Sequence, residues 1–139
     1  MPAGPASPLD AALARVGDRW ALLVVDALLG GPRRFTELHG ALGGIATNVL
    51  SQRLRALERD GVVVARPYSE RPVRVAYELS AAGRELAGAL RLLAHWGARG
   101  EHDDQLRHGA CGTPVEARWY CPSCEGPVDD AGLGELHFV

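Results

Sequence analysis

Residues 45–83, IATNVLSQRLRALERDGVVVARPYSERPVRVAYELSAAG, constrain the fold of this chain more than any other stretch. Leu50, Leu54 and Leu57 recur at spacings of four and three, the mark of a helix with one apolar face. The periodic segment runs from about Ala46 to Asp60 and stops at Gly61, the residue type that most readily closes a helix in the left-handed conformation. Val62-Val63-Val64 and Val73 to Leu79 are rich in β-branched residues and read as strands. Between them Pro67-Tyr68-Ser69-Glu70-Arg71-Pro72 makes a polar tip whose prolines limit register slip and withhold donors from the ladder. A helix that leads into a β-hairpin in this order predicts a recognition helix and its wing, a device that reads DNA through the major groove.

The polar side of that helix carries suitable chemistry. At about 100° per residue, the side opposite the leucines holds Asn48, Gln52, Arg55 and Arg59, with Ser51 at its flank. Asn and Gln match adenine edges, Arg matches guanine or phosphate, and Ser matches either. Arg53 falls between the two faces, within reach of a phosphate or a neighbouring helix. Arg71 and Arg74 flank the hairpin turn and suit the backbone or minor groove, and Arg33 and Arg34 are further phosphate candidates. Taken singly, each is as readily a solvated surface residue; the combination of polar helix, hairpin and arginine tip is what points to DNA.

The net charge of −2 would seem to oppose a nucleic-acid partner, but it is unevenly spread. Residues 1–100 hold 13 Arg against nine acidic residues, whereas residues 101–139 hold two Arg against eight. A basic body with an acidic tail is compatible with DNA binding by the body. All 15 basic residues are Arg, which supplies forked donors for phosphate and guanine. No apolar run is long enough to span a bilayer, and MPAGPASPLD lacks the pattern of a signal peptide, so a cytoplasmic protein is expected.

The flanking elements follow from local signals. Residues 1–8 are expected to be loose, residues 9–100 to form the DNA-binding and dimerisation domain, and residues 101–139 a separate tail. A short helix from Leu9 ends near Gly17, and a strongly apolar one from Trp20 stops at Gly30-Gly31-Pro32. A third opens at Phe35-Thr36-Glu37-Leu38. Thr36 is its candidate cap, and Glu37 follows too closely for a capping box. Ser80-Ala81-Ala82-Gly83 starts a long last helix to about Arg99. It carries two apolar stripes, Leu86, Leu90, Leu93 and Ala89, Leu92, Trp96. Two stripes exceed what packing on one small domain requires and suggest a subunit interface.

In its helices and hairpin the chain resembles the HxlR-type winged-helix transcription regulators, relatives of the MarR group. The matching stretches are RVGDRWALLVVDALLGGPRRFTELHGAL, GIATNVLSQRLRALERDGVV, RPVRVAYELSAAG and LAHWG, and the resemblance runs from Leu9 to about Gly97, about two thirds of the chain. The resemblance implies a homodimer built by the first and last helices. That dimer would bind a palindromic or direct-repeat operator in double-stranded DNA and act as a repressor of nearby genes. Many members carry a Cys-Pro pair before the first helix, and some use it to sense oxidants or electrophiles. Here the pair is Ser7-Pro8, so that switch is missing. Ala46 stands where the family usually has a capping Ser, and Thr47 is the alternative cap. A small-molecule effector between the first and last helices is a further expectation, with Trp20 and Trp96 lining the cavity; plain packing is the competing role for both.

The tail has its own chemistry. Three cysteines outside a disulfide framework point to metal or thiol chemistry. His108, Cys111, Cys121 and Cys124 read H-x2-C-x9-C-x2-C, which supplies the four N/S ligands of a structural Zn2+ site. His102, His137 and Asp129 are the other candidates for the fourth ligand. Val115 to Tyr120 alternates like a strand, and Leu133 to Val139 offers another. The expected fold is therefore α+β, a winged helix-turn-helix with dimerising terminal helices and a small zinc-ribbon-like β module. Two other readings compete: a winged-helix protein–protein interaction module, and a metal- or redox-responsive regulator acting through the Cys tail. An enzyme is not expected, since four protein ligands leave zinc no open position and no paired carboxylates mark a pocket.

Overall fold

The computed structural model describes residue 4 and residues 7–99, 105–129 and 136–139. Two compact units emerge, Met1–Leu90 and Arg91–Val139. Leu90, at the end of the first unit, is part of the core at 8% exposure.

The first unit opens with α1 (Pro8–Val16) and α2 (Arg19–Leu28). Ser7 caps α1, its Oγ accepting from the Asp10 amide at 3.1 Å, and Pro8 occupies the first turn, where its missing N–H costs nothing. Ser7 and Pro8 thus belong to the start of α1, within the segment 1–8 expected to be loose. Asp18 caps α2 by accepting from the amides of Trp20 at 2.9 Å and Ala21 at 3.2 Å. A two-residue strand, β1 (Arg33–Arg34), leads into α3 (Phe35–Ala41). Thr36 is not the cap of α3. The cap position is Arg34, and Glu37, three residues on, accepts from the Arg34 amide at 3.1 Å. A guanidinium has no lone pair to return the bond, so one half of a capping box forms.

Helix α4 spans Thr47–Arg59 with Ala46 at its N-cap and no side-chain cap bond, so Thr47 lies inside the helix and does not cap it. Leu50, Leu54 and Leu57 are 0%, 1% and 1% exposed. They pack with Val24, Val25 and Leu38, each leucine contributing roughly 1.5–3 kcal/mol by burial. Gly61 ends α4 at φ +72°, with its amide bonded to Glu58 O and that of Val62 to Leu57 O, the paired bonds of a Schellman closure.

The sheet has strand order β1-β3-β2, antiparallel throughout, from β2 (Val63–Glu70) and β3 (Val73–Leu79). The tip is shorter than expected. β2 runs on through Pro67, and only Arg71-Pro72 turns between the paired residues Glu70 and Val73. Pro67 is tolerated because β2 is an edge strand, and the register shifts between Pro67 and Ser69. β1 has no strand signal in the sequence and forms by pairing with Ala76 and Tyr77 of β3.

The long last helix is two helices, α5 (Ala81–Arg84) and α6 (Ala87–Gly97). Ser80 caps α5 through a 3.0 Å bond from the Gly83 amide. The turn then tightens, with the Leu86 amide bonding three residues back to Gly83 O at 3.2 Å. In the remainder of α6, Leu92, Leu93 and Trp96 are exposed.

The second unit also holds a loop closed by an Arg107–Pro114 bridge and a two-stranded sheet, β4 (Trp119–Cys121) with β5 (Gly126–Val128). The alternating residues Val115–Arg118 are not a strand: the Val115 amide closes back on Leu106 O, and Arg118 pairs with Glu116 two residues away. Residues 136–139 form no strand either, while Leu133 and His102 lie outside the described residues. Among the described residues no helix is long and apolar enough to cross a membrane.

Candidate functional site

The buried leucines fix which way α4 faces. Asn48, Gln52, Arg55 and Arg59 lie on its exposed side, and Ser51 is half-buried at the flank. Arg71, in the hairpin turn, and Arg74, just beyond it in β3, are both exposed. None of the described residues holds Asn48, Gln52, Arg71 or Arg74 in a hydrogen bond or ion pair. A ligand that met these side chains would have no internal contact to break.

Three other candidate arginines, Arg53, Arg33 and Arg34, are already engaged. Arg53 donates from Nε to Asp18 Oδ1 at 2.7 Å and from its terminal nitrogen to Oδ2 at 3.3 Å, which ties α4 to the start of α2. That bond, more than any other cause, holds the Asp18 carboxyl below its ordinary pKa. Arg33 donates to Ala27 O at 2.9 Å and locks β1 onto the end of α2. Arg34 lies 4.7 Å over the Tyr68 ring and 3.8 Å from Glu37. Tyr68 is a residue that sequence reasoning passed over. It is 46% exposed, joins the wing to the start of α3, and had no signal beyond being an aromatic at the hairpin tip. Arg66, further down the wing, is paired with Glu78.

Trp20 packs on the core with the Arg19 guanidinium 4.6 Å over its ring, and Trp96 is 67% exposed. A cavity of about 330 Å³ opens between α1 and α4, lined by Leu13, Arg15, Asp18, Arg53, Ala56 and Asp60 among others.

In the tail, His108 Nδ1 lies 3.4 Å from Cys111 Sγ, and Cys111 Sγ lies 3.3 Å from Thr113 Oγ1. Hydrogen bonding from Thr113, and then from His108, draws the Cys111 thiol below its ordinary pKa. The amide and side chain of Cys124 do the same for Cys121. Three cysteines are free thiols. Among the described residues no three His, Cys, Asp or Glu side chains gather closely enough to hold a metal ion, so the four expected ligands stand as two pairs.

The family model for the HxlR-like helix-turn-helix matches residues 15–105. The chain belongs to this family. This HxlR-like chain is 41% identical over 118 residues to Rv3095 of Mycobacterium tuberculosis, an uncharacterized HTH-type transcriptional regulator, covering 81% of this chain and 74% of the relative. Among solved structures it is similar to the redox regulator HypR in its reduced form, at 30% identity and TM-score 0.64 over 68% of this chain and 95% of that one. It is also similar to PA1607, described as a candidate transcription factor, at 30% identity and TM-score 0.76. That match covers 95% of this chain and 94% of PA1607, so it extends through the cysteine-bearing tail.

Proposed function

We propose that this HxlR-like protein is a sequence-specific DNA-binding transcription regulator, a repressor that acts as a homodimer in the cytoplasm. The observation that carries the reading is the exposed face of α4, where Asn48, Gln52 and Arg55 stand opposite a fully buried leucine face and next to an arginine-bearing hairpin. Asn48 and Gln52 suit adenine edges and Arg55 suits guanine, while Arg71 and Arg74 of the wing suit phosphate or the minor groove. Arg53 and Arg33 support the scaffold through Asp18 and the end of α2, and Arg34 braces the wing through Tyr68.

Exposed apolar side chains on the terminal helices support the dimer. α1 presents Leu9 and Leu13, at 66% and 51% exposure, and α6 presents Leu92, Leu93 and Trp96. A lone chain gains nothing from such surfaces, and an isologous contact would cover them. Two copies place two recognition helices on one duplex, with half-sites about one helical turn apart.

Footprinting on the DNA beside the protein's own gene tests the reading. A protected site that survives competition by unrelated duplex is expected. Equal affinity for all sequences at moderate salt would overturn it.

A further inference from the structure

The tail contains a structural repeat that its letters conceal. In RHGACGTP, residues 107–114, His108 and Cys111 stand three apart, Gly112 follows at φ +71°, and Arg107 bridges to Pro114. In YCPSCEGP, residues 120–127, Cys121 and Cys124 stand three apart, Glu125 follows at φ +53°, and Tyr120 pairs with Pro127. Each feature recurs at a fixed offset of 13 positions. The inner pairs correspond too: the His108 amide bonds Thr113 O at 2.9 Å, and Cys121 pairs with Gly126. Two turns that share only Cys and Pro at matching positions therefore adopt one backbone form, and each carries two soft or borderline metal donors at the same two positions of it.

Two further observations point to a ligand for this pair of knuckles. Glu125 is the sole non-glycine residue with positive φ among the described residues. A side chain in that conformation persists only where its surroundings enforce it, and here it directly follows Cys124. In addition, no residue from 105 to 129 is buried, and Trp119 and Tyr120 are 61% and 64% exposed. A segment with two ordered hairpin turns and no apolar core needs another source of cohesion, and a tetrahedral metal is a common one.

We propose that one Zn2+ is bound by His108, Cys111, Cys121 and Cys124, two ligands from each knuckle, and that it closes the two pairs into a zinc ribbon. Imidazole and thiolate match the ligand preference of zinc, and i, i+3 spacing followed by a left-handed residue is suited to aiming two donors at one ion. Binding releases three thiol protons to solvent and oxidises nothing; the three thiolates and Zn2+ leave the site with one net negative charge. Four protein ligands leave no open position, so the ion holds the tail together and activates no water.

The test uses the full chain, purified under reducing conditions, with zinc per chain measured by elemental mass spectrometry. Co2+ substituted for zinc reports thiolate ligation through sulfur-to-metal charge-transfer absorption. The wild type is expected to carry about one zinc per chain, and Cys111→Ser, Cys124→Ser and His108→Ala are each expected to lose it. Circular dichroism checks that the helices of the winged unit persist in every variant. Wild-type protein without zinc and without cobalt charge-transfer bands overturns the proposal. So does full zinc occupancy in Cys111→Ser or His108→Ala, which would assign the metal to the Cys121–Cys124 knuckle alone.

Discussion

Arg53 Nε donates to Asp18 Oδ1 at 2.7 Å, while the same carboxylate caps α2 through the amides of Trp20 and Ala21. One side chain thus fixes the start of a core helix and the angle of the helix proposed to read DNA. Asp18→Asn keeps a competent cap but discards the ion pair, and is expected to cost about 0.2–1 kcal/mol in denaturant unfolding. Asp18→Ala loses both and should cost about 1 kcal/mol more. Equal losses for the two variants would mean that the cap is not formed.

The same pair sets an acid dependence. The Arg53 hydrogen bond holds the Asp18 carboxyl below its ordinary value near 3.8, with burial opposing and the two amides assisting. A depressed folded-state pKa contributes stability that is complete above the unfolded value and is lost as pH falls through the folded one. Thermal unfolding followed from pH 5 downward should therefore fall more steeply in the wild type than in Asp18→Asn. Superimposable acid limbs would show that Asp18 does not set this dependence.

Ala46 has the extended backbone of an N-cap, φ −71° and ψ 143°, but no side chain to accept the first amides of α4. Ala46→Ser supplies the acceptor with no change of backbone. A gain of about 1 kcal/mol is expected in chemical denaturation; a loss would show that the first turn of α4 differs from the one described.

Gly83 lies against the start of the wing. A Cβ there would sit 2.2 Å from Val62 O, a carbonyl that also accepts from the Ser80 amide at 3.0 Å and the Ser80 hydroxyl at 3.1 Å. Neither backbone segment yields easily, so Gly83→Ala should destabilise by roughly 1–3 kcal/mol in denaturant unfolding. At Gly88 a Cβ would meet nothing within 4 Å, and Gly88→Ala serves as the control, neutral or slightly stabilising in the same helix region.

The features legible in the sequence were those set by local periodicity. Leu50, Leu54 and Leu57 announced both α4 and its buried face, because a helix repeats over a few residues whatever surrounds it. Gly61 announced its end for the same reason. What escaped depended on partners far along the chain. Arg33 and Arg34 carry no strand pattern and become β1 only by pairing with Tyr77 and Ala76 of β3. Pro67 looked like a turn signal, yet an edge strand accommodates it. Arg53 sat between two faces, and only the position of Asp18 showed which way it turned. The two knuckles are legible from the H-x2-C and C-x2-C spacing, but their common backbone form is not, because His stands for Cys and Glu for Gly.

The most direct test of the proposed DNA reading is a competition measurement at fixed salt. Binding of the wild type and of Gln52→Ala, Arg55→Ala and Arg71→Ala is followed by fluorescence anisotropy on the footprinted site and on a scrambled duplex of equal composition. Gln52→Ala and Arg55→Ala should each narrow the gap between the two duplexes by about 1–3 kcal/mol. Arg71→Ala should weaken both duplexes alike and reduce the dependence on salt. If Arg55→Ala and Gln52→Ala leave the preference for the site unchanged, α4 is not the element that reads the sequence.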